Sequence, residues 1–232
     1  CIGMFYSYFD PTMILLIPAL IISFWAQSKV NSAYNKYTKV RIINGYSGQQ
    51  VARMMLDEAG LFDIRIEQIN SKLGDHYDPS SRVLRLSPEV YSGSTISSAG
   101  IAAHEVGHAI QHKESYKPLT IRNSIVPVVN FSSSISWILF FLGIVMGFKG
   151  LTTLGIILFS AVVIFQLITL PVEFDASTRA LNILKSRGIL YGDEVKGAEK
   201  VLNAAAMTYV AATLMAISQL VRLIAISNSR DD

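Results

Sequence analysis

Residues 131–171 read FSSSISWILFFLGIVMGFKGLTTLGIILFSAVVIFQLITLP, and this stretch decides the fold class. It holds two apolar runs, 131–148 and 151–171, which only Lys149 and Gly150 separate. Each run has about the 18 to 20 apolar residues that a helix needs to cross a bilayer core of about 30 Å. Two such runs with so short a connection predict a transmembrane helical hairpin.

The composition agrees with a chain that lies largely in a membrane. Of its 232 residues, 51% are hydrophobic and only 16% are charged, whereas about 25% of residues are charged in an ordinary soluble domain. Two further apolar runs occupy 13–25 and 201–226, and the second of them contains the polar residues Gln219 and Arg222. We therefore predict a mainly α-helical membrane protein with three to four transmembrane helices. The last run either spans the bilayer, which we favour, or forms a buried or interfacial helix.

Basic residues indicate how the chain is oriented in the membrane. They cluster after the first and the third apolar runs, whereas the hairpin loop carries only Lys149. Because basic segments stay on the cytoplasmic side of a membrane, residues 27–130 and 172–200 are expected to be cytoplasmic. The residues on which this orientation depends are Lys29, Lys36, Lys39, Arg41, Arg179, Lys185 and Arg187.

Cysteine usage and charge exclude several functional classes. Cys1 is the only cysteine, so neither a disulfide within the chain nor a thiolate-rich zinc site can form. Any metal must therefore be held by histidines and carboxylates. The net charge is only +3 and no basic cluster alternates with aromatic residues, so no nucleic-acid partner is expected.

Residues 99–112, AGIAAHEVGHAIQH, contain the strongest chemical motif. His104 and His108 are four positions apart and share one helical face, so both imidazoles can reach a single metal ion. Glu105 lies at the edge of that face, where it can accept a proton from a water activated by the metal. The small and apolar flanking residues favour a buried catalytic helix over an amphipathic helix with two surface histidines.

A catalytic zinc ion usually has three protein ligands and one open position, so a third ligand is needed. His112 continues the spacing, but ligands at i, i+4 and i+8 span about 12 Å along a helix and cannot surround one ion. His76, in a predicted turn, is a weak candidate. Glu173 is the strongest, because it follows the third apolar run in a helix predicted to begin at Pro171; Asp175 is the alternative. Both carboxylates could also be ordinary charges near a helix N-terminus.

The segment between the first apolar run and the hairpin is predicted to form a small α+β domain. A capped helix is expected at 47–60, and alternating apolar and polar residues predict strands at 64–69 and 83–87. The HEVGH helix is expected to begin near Ser97 or Ser98.

Three stretches together resemble a known family. They are GDHYDPSSRVLRLSPEVY (74–91), SAGIAAHEVGHAIQH (98–112) and PVEFDASTRAL (171–181). Over nearly its whole length the chain resembles the YugP-type neutral zinc metallopeptidases of bacterial membranes. It is more distantly similar to the HtpX-like heat-shock proteases and the CAAX prenyl proteases, in which the residue matching Glu173 is the third zinc ligand. Those motifs end in Ala-Asp where this chain has Ala176-Ser177, which leaves open whether Asp175 takes over the role of that aspartate.

The resemblance implies a zincin-like domain and a zinc metalloendopeptidase of the gluzincin type. Zn²⁺ would be held by His104, His108 and Glu173, with Glu105 as the general base. The strand at 83–87 either offers its edge to an extended substrate or is an ordinary core strand. Candidates for stabilising the oxyanion of the transition state are His76, Tyr77, Tyr209 and Arg179.

The chain is thus expected to be a multi-pass protein of the bacterial cell membrane with its active site on the cytoplasmic side. Its expected partners are the lipid bilayer, a peptide or membrane-protein substrate and, as a further candidate, a membrane protein complex. The predicted parts are an N-terminal transmembrane segment (1–26), a cytoplasmic zincin-like domain with the HExxH helix (27–130), the transmembrane hairpin (131–171), a cytoplasmic helix with the third ligand (172–200) and a C-terminal hydrophobic helix (201–232).

The sequence also permits a different class of function. The protein could be a membrane adaptor or regulatory partner with a latent or structural zinc site. Glu105 argues against it, because a purely structural site does not need a carboxylate between its histidines. A zinc transporter is a weaker alternative, since the apolar runs contain almost no His, Asp or Glu to line an ion path.

Overall fold

The computed structural model describes residues 10–72 and 74–229. The first nine residues of the predicted N-terminal segment and the last three of the C-terminal helix lie outside this part. In chain order the elements are a 3-10 helix (Pro11–Leu16), α1 (Ile17–Tyr37), α2 (Gly48–Glu58), β1 (Arg65–Gln68), β2 (His76–Asp78), β3 (Val83–Leu86), α3 (Pro88–Ser92), α4 (Ile96–Lys113), α5 (Lys117–Met146), α6 (Lys149–Ser186) and α7 (Asp193–Asn228).

The protein is mostly helical, and four of its helical stretches are long and apolar enough to cross a membrane. They are Pro11–Tyr37, Lys117–Met146, Lys149–Ser186 and Asp193–Asn228. The last of them contains the run at 201–226, so four candidate spans correspond to the upper number predicted from the sequence. The structure also contains the predicted small sheet.

The prediction that the helix carrying Glu173 begins at Pro171 is wrong. α6 is continuous from Lys149 to Ser186, and Pro171 lies inside it. A proline removes one backbone hydrogen bond from a helix, but long apolar helices tolerate the loss where neighbouring groups compensate. One helix therefore contains both the third apolar run and Glu173.

Contacts divide the chain into two compact units. The first comprises Cys1–Ala26, Ile121–Thr169 and Thr208–Asp232, and the second comprises Gln27–Thr120 and Leu170–Met207. α1, α5, α6 and α7 each contribute residues to both units. The domain limits that hydropathy suggests stay a prediction.

In the first unit, small residues bring α5 and α6 into close contact. A Cβ added at Gly143 would lie 2.4 Å from the backbone nitrogen of Thr152, and one at Gly155 would lie 2.8 Å from the backbone of Phe140. Large apolar side chains on the surface of this unit point outward, among them Val145, which is 82% exposed. Close helix contacts at small residues and an apolar exterior are typical of helices packed within lipid.

An ion pair in the first unit joins the two ends of the described chain. Arg222, near the end of α7, donates from Nη2 to Asp10 Oδ2 at 2.6 Å and from Nε to Thr12 Oγ1 at 3.1 Å. Asp10 also caps the 3-10 helix by accepting from the Thr12 backbone N–H. The start of the first candidate span and the end of the last one therefore lie side by side.

The second unit contains a three-stranded sheet in the order β1-β3-β2, with β1 parallel and β2 antiparallel to β3. α2 packs beside it, and a capping box between Ser47 and Gln50 begins that helix. β3 lies in the middle of the sheet and is largely buried. The strand predicted at 83–87 is therefore a central strand. The two edges of the sheet are β1 and β2, and β2 lies in a stretch that the sequence predicts to be a turn.

α4 begins at Ile96 with Thr95 as its N-cap, slightly earlier than predicted, because the Thr95 side chain accepts from the Ser98 N–H. Most of this helix is buried, and at Gly107 it lies close against α6. A Cβ added at Gly107 would lie only 2.5 Å from the carbonyl oxygen of Ala176. The missing side chain at Gly107 thus lets the two backbones touch.

Candidate metal centre

Three side chains from α4 and α6 converge in the second unit. His104 Nε2 lies 3.2 Å and His108 Nε2 lies 3.7 Å from Oε2 of Glu173. The imidazole rings of the two histidines meet edge to face with centroids 4.7 Å apart. Glu173 is only 3% exposed, so its charge is removed from water and needs partners.

The chemistry and spacing of these three atoms fit a divalent metal. Two imidazole nitrogens and one carboxylate oxygen are a common donor set for catalytic zinc, which keeps a fourth position open. Ligand atoms placed tetrahedrally about 2.0–2.1 Å from one ion would lie about 3.3 Å apart. The three candidate atoms lie within 4.8 Å of one another, with two of the separations close to that value.

Both histidines are oriented by hydrogen bonds at their other ring nitrogen. Nδ1 of His104 lies 3.1 Å from Ser177 Oγ, and Nδ1 of His108 lies 3.0 Å from Gln111 Oε1. Such partners fix the ring and direct the remaining nitrogen to a metal. In both histidines Nε2 is left facing Glu173.

The structure shows which residue lies where the Ala-Asp motif would have its aspartate. Ser177, the residue that stands in place of the motif's Asp, is the one that contacts His104. Asp175 instead accepts hydrogen bonds from Gln111 Nε2 at 2.7 Å and from Arg179 Nε at 2.6 Å. Asp175 therefore contacts Gln111 and Arg179, and it is Ser177 that occupies the position next to His104.

Glu105 lies next to the two histidines and is held by the edge strand β2. Its side chain is buried, and its Oε2 accepts a hydrogen bond from the backbone N–H of Tyr77 at 3.1 Å. Burial raises the pKa of Glu105, while the neighbouring His104 and His108 act in the opposite direction. A raised pKa brings a carboxylate closer to the range in which it exchanges protons near neutral pH.

The remaining sequence candidates have other surroundings. The Tyr77 hydroxyl lies 2.9 Å from Nδ1 of His112, and Nδ1 of His76 lies 2.7 Å from the carbonyl oxygen of Gly74. Arg179 pairs with Asp175 and Glu114. Tyr209 belongs to the first unit.

Sequence analysis did not single out Gln111, and it named Ser177 only as the residue in place of the motif's Asp, without a partner. Gln111 is three residues after His108, and Ser177 is four residues after Glu173, so each lies one helical turn from a candidate ligand. Helical spacing alone could have placed them near the site, but nothing in their residue types distinguishes them from ordinary polar positions.

Comparison with known proteins relates this geometry to a family. A family model described as "Putative neutral zinc metallopeptidase" matches residues 12–228. The chain belongs to this family. The relative described as "Putative membrane protease YugP" from Bacillus subtilis (strain 168) is 52% identical over 219 residues, which cover 94% of this chain and 97% of that protein. No solved structure matches the chain with statistical significance.

Membership of the zinc metallopeptidase family confirms the resemblance that the three sequence stretches predicted. It supports zinc as the metal, a peptidase as the class of enzyme and the membrane as its location. The three side chains that the structure brings together have the donor chemistry that such a family requires.

Proposed function

We propose that this protein is a membrane-embedded zinc metalloendopeptidase of the gluzincin type. In this proposal His104, His108 and Glu173 hold Zn²⁺, and Glu105 is the general base. The single observation that carries the proposal is that the Nε2 atoms of His104 and His108 converge with a carboxylate oxygen of Glu173. The buried Glu105 lies beside them, on the helix that carries the two histidines. A structural zinc site has no chemical need for that glutamate.

Bound in this position, Zn²⁺ would polarise the scissile carbonyl and lower the pKa of the attacking water. Glu105 accepts the proton of that water and later donates it to the nitrogen of the leaving amine. The Tyr77 N–H holds one carboxylate oxygen of Glu105, which leaves the other oxygen to carry out these transfers. Ser177 and Gln111 keep the histidine rings turned toward the reacting centre.

Of the four candidates for stabilising the oxyanion, we favour Tyr77. Its backbone contacts Glu105 and its hydroxyl contacts His112, one turn beyond His108, so the side chain extends along the metal-facing side of α4. If Nδ1 of His112 carries the ring proton, the hydroxyl accepts from it and keeps its own O–H to donate to the oxygen on which negative charge develops. His76 is an exposed residue of β2, and the Arg179 guanidinium is already engaged by two carboxylates.

The proposed substrates are membrane or membrane-associated proteins cleaved near the cytoplasmic face. The basic residues that follow the first and third apolar runs support this orientation. β2 is an edge strand, and its Tyr77 backbone N–H points to Glu105 rather than to β3. An extended peptide could therefore bind along this edge with its scissile bond over the metal.

The test is cleavage of an unfolded membrane protein in detergent by the purified full-length chain. We expect cleavage that a chelator abolishes and Zn²⁺ restores. Glu105→Gln should bind the same amount of zinc as the wild type but lose cleavage, because glutamine can accept from the Tyr77 N–H but cannot take a proton from water. Cleavage by Glu105→Gln at the wild-type rate would refute the mechanism. Zinc binding without cleavage of any substrate would favour the adaptor instead.

A further inference from the structure

Gln111 is a polar side chain with no exposed surface. Burying an amide costs free energy unless all its polar atoms have partners, and here they do. Nε2 donates to the carbonyl oxygen of Val172 at 2.9 Å and to Asp175 Oδ2 at 2.7 Å, and Oε1 lies 3.0 Å from His108 Nδ1.

These partners leave the amide a single orientation. A carbonyl and a carboxylate oxygen can only accept, so the NH₂ group must face Val172 and Asp175. Oε1 must then face His108, and because Oε1 can only accept, the Nδ1 atom of His108 must carry the proton. The lone pair of the neutral ring is therefore on Nε2, the nitrogen that faces Glu173.

The same amide also fixes the helix that supplies the carboxylate. Val172 and Asp175 lie on either side of Glu173 in α6, so Gln111 ties α4 to α6 at the position of the candidate third ligand. Arg179 donates to the same Asp175 oxygen and holds it in place. Ser177 is a less definite partner for His104, because a hydroxyl can donate or accept.

We propose that Gln111 is a positioning residue that sets the metal centre before the ion binds, by fixing the Nε2 lone pair of His108 and the backbone around Glu173. This inference rests on the proposed function only in that His108 and Glu173 bind the metal. It does not depend on what the protein cleaves, or on whether it cleaves anything.

The experiment measures Zn²⁺ affinity of the full-length protein in detergent by competition with a chromophoric chelator. Gln111→Met keeps the length of the side chain and removes all three hydrogen bonds, and we expect its affinity to fall about 10- to 100-fold. Gln219→Met is the matched control, since it makes the same change at a glutamine of α7 in the other unit. That control should keep wild-type affinity.

Two readouts separate positioning from mere packing. The visible spectrum of the Co²⁺-loaded protein should change in Gln111→Met, because it reports the ligands around the metal. Thermal unfolding of the metal-free protein measures separately the stability lost when the partners of the amide are left unpaired. Asp175→Asn, which keeps an acceptor for the Gln111 amide, should retain more affinity than Asp175→Ala. Should Gln111→Met not fold, the two Asp175 variants decide.

Wild-type affinity and an unchanged Co²⁺ spectrum in Gln111→Met would overturn the inference, and so would wild-type affinity in Asp175→Ala. A wild-type protein that binds Zn²⁺ but cleaves no peptide would instead overturn the proposed protease activity. The affinities of the Gln111 and Asp175 variants would still decide the role of Gln111 in that case.

Discussion

At the residue scale, the centre depends on carboxylates that would be unstable alone in the interior. Glu105 and Glu173 are both buried, and each needs opposite charge or hydrogen-bond donors to remain ionised. Glu105 has the Tyr77 N–H and the neighbouring histidines, and Glu173 has the two Nε2 atoms. Their different partners correspond to different proposed roles, proton transfer for Glu105 and metal binding for Glu173.

Replacing Glu173 tests the third ligand. Glu173→Ala should bind zinc with much lower occupancy after purification, because only two protein ligands would remain. Metal analysis of the purified protein measures the occupancy, and Glu199→Ala, at an exposed position of α7, is the control that should keep it. Unchanged occupancy in Glu173→Ala would mean that the third ligand lies elsewhere.

Replacing the Tyr77 hydroxyl tests the proposed oxyanion contact. Tyr77→Phe keeps the ring and the backbone N–H that holds Glu105 but removes the O–H. We expect kcat to fall about 100-fold, as for the loss of one oxyanion donor in other hydrolases, with KM and zinc content little changed. A fall in zinc content, or a rise in KM at constant kcat, would assign the hydroxyl another role.

At the element scale, the hairpin and the HEVGH helix could be predicted because their information is local. Twenty apolar residues in a row, or two histidines one turn apart, indicate the same structure in almost any context. β2 could not be predicted, because it is three residues long and lies among turn-forming residues. Its role comes from pairing with β3 and from the contact with Glu105, which are tertiary.

The contact between α4 and α6 is likewise tertiary. The sequence places Glu173 on the same predicted side as the histidines, but only folding shows which face of α6 meets them. Gln111 bonds to two residues of α6 that are 61 and 64 positions away in the chain. No local sequence pattern predicts pairs so far apart in the chain, and Gln111 was therefore not predicted from the sequence.

Replacing Gly107 tests the close approach of α4 and α6. Gly107→Ala would place a Cβ 2.5 Å from the Ala176 carbonyl oxygen, so the helices must separate, at a cost of about 1–3 kcal/mol. We expect a lower midpoint of unfolding in detergent and weaker Zn²⁺ binding, because Glu173 would move away from the histidines.

Gly100→Ala is the control on the same helix. A Cβ at Gly100 would lie 3.6 Å from the Ala198 Cβ, an ordinary contact, and alanine favours a helix over glycine by up to about 1 kcal/mol. This variant should be as stable as the wild type or more so. Equal stability and zinc affinity of the two alanine variants would show that the contact at Gly107 is not restrictive.

At the scale of the whole molecule, the Asp10–Arg222 pair constrains how many times the chain crosses the membrane. The start of the first candidate span and the end of the last one lie beside each other. If each candidate helix crosses once, the two ends are on the same side only for an even number of crossings. Four spans satisfy this condition and three do not.

Cysteine labelling tests the proposed orientation. With Cys1→Ser as background, single cysteines replace Ser229, Lys149 or Ile43, the last of which is 79% exposed. In intact cells a membrane-impermeant thiol reagent should label positions 229 and 149, and position 43 only after permeabilisation. Labelling of position 43 in intact cells would place the metal centre outside the cytoplasm.

The contact between Gly107 and Ala176 also limits which sequences can build this centre. Any side chain at the fourth position of the HEVGH pentapeptide would meet a main-chain oxygen, which cannot rotate away as a side chain can. The pattern H-E-x-x-H is therefore too permissive as a query for distant homologues of this centre. A more selective query is H-E-x-G-H-x-x-Q followed downstream by E-x-D-A-S. It adds the glycine of the close helix contact and the residues that hydrogen-bond around the histidines. We expect it to select chains that share this geometry rather than the pentapeptide alone.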